Sequence, residues 1–103
     1  MVIEIATLFI KTETESDFLQ GFSEGVKILR RQKGCKGLRW GKRVEADLAY
    51  ILEVEWVDIQ DHFNFRETQD YVEFGKHFRQ HLSKNPEVVH SALAIWSPSL
   101  THC

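Results

Sequence analysis

Five apolar residues alternate through the stretch LAYILEVEW: Leu48, Tyr50, Leu52, Val54 and Trp56 share one face of a strand. Ala49, Ile51, Glu53 and Glu55 take the other face. The period then changes. Asp58 is placed to cap a helix that begins at about Ile59, with His62, Phe63 and Arg66 in its first turns. That cap is expected to turn Phe63 toward the sheet. A break is expected near Glu67–Gln69. Beyond it Tyr71, Phe74, Gly75, Phe78 and Leu82 recur at helical spacing, until Asn85–Pro86 ends the helical region.

The rest of the chain fits around this unit. Residues 2–10 alternate as a first strand, with Ile3, Ile5, Thr7 and Phe9 on one side and Val2, Glu4, Ala6, Leu8 and Ile10 on the other. Thr14 or Ser16 can cap a first helix whose buried stripe is Phe18, Phe22, Gly25, Val26 and Leu29, stopping near Gly34. Gly25, inside that stripe, points to close packing or to a space kept open. A second strand from Gly37 places Leu38, Trp40, Lys42 and Val44 together, with Arg39 and Arg43 opposite. The short polar link Glu45–Asp47 suits a hairpin to the third strand. Val88–Trp96 forms a fourth strand, and 98–103 a short tail.

The order is β–α–β–β–α–β. It predicts one α+β domain over 1–103 with an ordered core at about 2–97: a ferredoxin-like, four-stranded antiparallel sheet with its helices on one face. Because the strands carry apolar residues on both sides, the uncovered face would be a large apolar patch on a monomer. Packing against a second copy would bury it, so a homodimer through that face is expected.

Composition narrows the function classes. The formal charge is −2, from 13 basic and 15 acidic residues, which gives no basic excess to attract nucleic acid or an anionic membrane. The basic run KILRRQKGCK reads as a helix end favoured by the macrodipole. No secretory leader is legible in VIEIATLFI, which Glu4 interrupts, and no run reaches membrane-span length. Cys35 and Cys103 make no disulfide framework, which fits free thiols and a cytoplasmic location. No phosphate loop, dinucleotide fingerprint or nucleophile elbow is present.

With LEVEW, Phe63 and the following DYVEFGKHF segment in place, nearly the whole chain resembles the antibiotic biosynthesis monooxygenase (ABM) family of dimeric α+β barrels. The resemblance implies two protomers joined through their sheets, each with a pocket between sheet and helices. It also implies oxygenation of phenolic or polyketide-like aromatic molecules without a cofactor, the alternatives being a non-catalytic ligand-binding or dimerisation module and a polyketide cyclase. Of the haem-degrading branch's residues only His77 has a counterpart. Its strand-one Asn position is Ala6 or Thr7 and its Trp position falls near Arg66, so haem degradation is not expected. The cyclase branch's strand-one His position is Ile5 or a neighbour, and its helical pair falls at about Phe65 and Tyr71.

Three residues are assigned catalytic roles. His62 and Arg66, one helical turn apart, suit a base of near-neutral pKa and a cation holding a phenolate or carbonyl oxygen. Tyr71 can donate a hydrogen bond. Phe22, Trp40, Phe63, Phe74, Phe78 and His90 are assigned to the ligand space. Glu73, His77 and His81 fall on one helical line, a spacing that can present metal ligands, but that line is offset from the apolar stripe toward solvent, and no metal is expected.

Overall fold

In the computed structural model, which describes residues 1–45 and 48–92, alternation turns one face of Val2–Phe9 (β1) and of Ala49–Trp56 (β3) toward the helices. These two pair antiparallel at the centre of a four-stranded sheet. Cys35–Lys42 (β2) pairs with β3 and Glu87–Ala92 (β4) with β1, giving the order β2-β3-β1-β4. This is the ferredoxin-like α+β fold that the element order predicts. The expected continuation of the fourth strand through Leu93, Ile95 and Trp96, the tail with Cys103, and Ala46–Asp47 of the link lie outside the described residues.

The first helix, Glu15–Arg30 (α1), buries its whole predicted stripe. Thr14 stands at its N-cap, but the hydroxyl donates to the Lys11 carbonyl (2.9 Å) instead of accepting from the helix. Gly34, at φ +85°, then turns the chain into β2. Asp58 caps Ile59–Phe65 (α2) as expected, accepting from the Gln60 amide at 2.8 Å. The predicted break follows. Thr68 accepts from the Tyr71 amide (3.2 Å) and starts Gln69–Lys76 (α3).

Two readings are corrected here. The second helical region does not run on to Asn85: α3 ends at Lys76, and only a 3-10 turn, Arg79–His81, follows. Hydrogen bonds to the end of β1 draw the chain away, Lys11 donating to His81 and Ser83 to Phe9, each at 2.8 Å. Val44 does not extend β2, which stops at Lys42, and its side chain is 93% exposed.

The core lies between sheet and helices. Phe18, Phe22, Val54 and Trp56 are fully buried in it. α1 and α3 approach so closely that a Cβ at Gly21 would run into the His77 carbonyl, and one at Gly25 would sit 3.2 Å from the His77 Cβ. On the sheet's other face Ile3, Ile5 and Ile51 are half-buried and Val89 is 60% exposed, and no helix of the described residues lies over them. Among the described residues no helix is long and apolar enough to cross a membrane.

Candidate functional site

Strand register sets a carboxylate beside two imidazoles. Glu4 of β1 lies opposite Val54 of β3 and His90 of β4, on the face beneath the helices. Trp56 ends β3, and the Asp58 cap sends α2 back over it, so that His62 stacks on the indole with ring centroids 5.4 Å apart and planes at 16°. The Trp56 Nε1–H donates to Glu4 Oε1 at 2.9 Å. His62 Nε2 stands 3.4 Å from the same oxygen, and His62 Nδ1 lies 2.8 Å from His90 Nε2. Which ring carries the shared proton depends on the tautomers. Glu4 and His62 are the buried carboxyl and imidazole side chains among the described residues.

Burial moves both groups toward their neutral forms. The Glu4 carboxyl is raised by desolvation, which outweighs the opposing effects of the Trp56 hydrogen bond and the Arg66 charge. His62 is pushed down to about 4, chiefly by desolvation and then by the charges of His90 and Arg66. The imidazole expected to titrate near neutrality is therefore neutral there, with both ring nitrogens facing partners.

A cavity of about 460 Å³ opens beside this cluster, between sheet and helices. Ala6, Leu8 and Leu52 form its sheet side and Phe22, Phe65, Phe74 and Phe78 its helix side, while Glu4 and His62 lie on its wall. Arg66, Arg79, Asn85 and Val88 also line it and are exposed, which places them at its mouth. The Arg79 guanidinium lies over the Tyr71 ring, 5.0 Å from its centroid.

The cavity thus brings together His62, Arg66, Tyr71, Phe22, Phe74 and Phe78. Three assigned residues stand elsewhere. Trp40 is behind the wall, edge-on to Phe22 at 4.8 Å. His90 is reached through His62. Phe63 is 39% exposed and lies outside the cavity, edge-on to His90 of β4 at 6.0 Å, because Trp56 and His62 stack and Phe65 packs against Trp56, Tyr71 and Phe74, which fixes α2 with His62 and Phe65 inward. Asp70 accepts from Gln32 (2.8 Å) and pairs with Arg31 (3.5 Å). Glu73, His77 and His81 share no helical line, since α3 ends before His77, and the Glu73 carboxylate is held by Lys76 and Gln69. No three His, Cys, Asp or Glu side chains form a metal-binding group among the described residues.

Three contributors escape a reading by spacing: Glu4, Arg79 and Asn85. Only Glu4 leaves a signal, as the one charge on the apolar face it shares with Ala6, Leu8 and Ile10.

The antibiotic biosynthesis monooxygenase family model matches residues 1–84. The uncharacterised Bacillus subtilis (strain 168) protein YczJ is 32% identical over 91 residues, covering 87% of this chain and 96% of its own length. A Bordetella bronchiseptica crystal structure, provisionally named an antibiotic biosynthesis monooxygenase, is 27% identical with a TM-score of 0.85, over 91% of this chain and 97% of that one. SnoaB of Streptomyces nogalater, a cofactor-independent oxygenase, superposes with a TM-score of 0.79 over 95% and 97% of the two chains. At 13% identity that is a likeness of fold. The chain belongs to the antibiotic biosynthesis monooxygenase family.

Proposed function

We propose that this protein is a cofactor-independent monooxygenase of phenolic or polyketide-like aromatic molecules, working in the cytoplasm as a homodimer joined through its open sheet face. The observation that carries the reading is the aromatic-walled cavity with a buried carboxylate–imidazole pair on its wall and arginines at its mouth. A planar aromatic ring would lie against the cavity wall that Phe22, Phe74 and Phe78 form by packing on one another. An acidic oxygen on it would meet Arg66, whose charge persists at any physiological pH, with the Tyr71 hydroxyl as a further donor.

The chemistry needs no resident redox group if the substrate supplies the electrons. An anthrone-type carbon gives up a proton, and the resulting anion passes one electron to dioxygen. The radical pair joins as a peroxide anion, which takes a proton back from water; the hydroperoxide then loses water with the second C–H proton to leave a carbonyl. One oxygen atom stays on the product and the other leaves as water, so no external reductant is consumed. The protein's share is to exclude water, stabilise the oxyanion and take the first proton. The half-buried isoleucines and exposed Val89 of the open sheet face support the dimer.

The test is oxygen uptake by the purified protein with anthrone under air. Consumption of one dioxygen per anthrone, above the buffer rate and slowed about tenfold or more in Arg66→Ala, is the expected result. Saturable anthrone binding with no uptake would instead identify a ligand-binding module, and a ring-closed product without uptake a cyclase.

A further inference from the structure

We infer that Glu4 is the proton acceptor of the cavity and that His62 and His90 form a relay carrying that proton to solvent at the sheet edge. The inference rests on the oxygenase reading for its substrate but on the cluster's geometry for its path. Glu4 is a poor structural device: a buried carboxylate costs stability unless fully compensated, yet among the described residues its hydrogen-bond donor is one neutral indole. His62 is its ion-pair partner among the described residues, at a distance longer than a good hydrogen bond. Both of these described contacts use Oε1, and the residue lines the cavity, so the second oxygen is available to a ligand hydroxyl or an activated C–H.

The contacts run in series. Glu4 Oε1 faces His62 Nε2, and His62 Nδ1 faces His90 Nε2 on the edge strand β4, where His90 is half-buried between exposed neighbours. Once the ligand proton is on Glu4, rotation of the carboxyl turns its O–H to His62 Nε2. As that proton moves across, the Nδ1 proton passes to His90 Nε2 and the His90 Nδ1 proton leaves to water. The carboxylate is regenerated, the proton released balances the one that the peroxide anion takes from water, and the two imidazoles end as their other tautomers, which proton exchange at His90 resets. The charged and titratable groups acting on the path are Arg66 from α2, which disfavours protonated His62, and the Cys35 thiol of β2, which interacts with Glu4.

Two measurements test this, one independent of turnover. In 15N-histidine-labelled protein, long-range nitrogen–proton spectra should show His62 neutral down to pH 5 and sharing one proton with His90. Glu4→Gln, which can keep the Trp56 contact, should alter the His62 signals. A His62 that titrates near 6.5, or is indifferent to Glu4→Gln, overturns the relay and leaves the oxygenase reading standing. With anthrone, Glu4→Gln should lower kcat by about 100-fold. His90→Phe should lower kcat with KM unchanged, and added imidazole buffer should restore it; His90→Gln is the second variant should Phe not fold. Loss in the His90 variants without buffer rescue marks a structural role and refutes the proton path. If the wild type consumes no oxygen, the oxygenase reading fails while the spectra still decide the relay.

Discussion

His62 should give the fold an acid sensitivity that one substitution removes. In the unfolded chain the imidazole has a pKa of 6.5, against about 4 in the folded state. Between those values the unfolded state binds more protons, so stability rises with pH across the window and is lost as pH falls from 6.5 toward 4. A shift of that size corresponds to roughly 3 kcal/mol. Glu4 works against it. Its folded pKa is raised, so the native state binds more protons just above 4.5, and its protonation stabilises the fold as pH falls. Urea denaturation of wild type, His62→Gln and Glu4→Gln at pH 7, 6, 5 and 4 separates the two. His62→Gln should flatten the acid loss by roughly 3 kcal/mol, and Glu4→Gln should steepen it. Parallel pH profiles for wild type and His62→Gln would refute the claim that burial holds this imidazole neutral.

Other consequences are as direct. Arg66→Ala should weaken binding or turnover of an acidic aromatic ligand by about tenfold or more, read by titration or oxygen uptake, since a charge-assisted hydrogen bond contributes roughly 1.5–3 kcal/mol. Trp56→Phe removes the indole donor from Glu4 and should cost about 1–3 kcal/mol in urea melts at pH 7. Gly21→Ala should destabilise by about 1–3 kcal/mol, because the His77 carbonyl occupies the new Cβ position and α1 must move away. Gly25→Ala, facing a Cβ at 3.2 Å, should cost less. Light scattering at micromolar concentration should give about twice the 12.0 kDa chain mass; a stable monomer would leave Ile3, Ile5, Ile51 and Val89 without their proposed cover.

Much of the fold could be read from local pattern, because local physics decides it. The Asp58 cap, the break before Gln69 and the α1 stripe each depend on residues within a few positions. The end of α3 does not: Phe78 and Leu82 continue the helical spacing, but hydrogen bonds from β1, more than sixty residues earlier, capture the chain. The Asp58 cap points Phe63 toward the sheet, but stacking of His62 on Trp56 sets the rotation of α2 and leaves Phe63 at the sheet edge against His90. The site was half legible. His62, Arg66 and Tyr71 share one helical region, so sequence could group them. Glu4 and His90 meet them only through the β1–β4 register, and the pKa shifts follow from a burial that no sequence window contains.

The central claim is that substrate electrons and this chain's own residues suffice for oxygen transfer. Incubation with anthrone under 18O-labelled dioxygen, followed by mass spectrometry of the product, tests it most directly. The account predicts one labelled oxygen in the new carbonyl and one in water, formed at a rate set by protein concentration and slowed in Arg66→Ala. Unlabelled product, or labelled product at the rate of buffer alone, would contradict it.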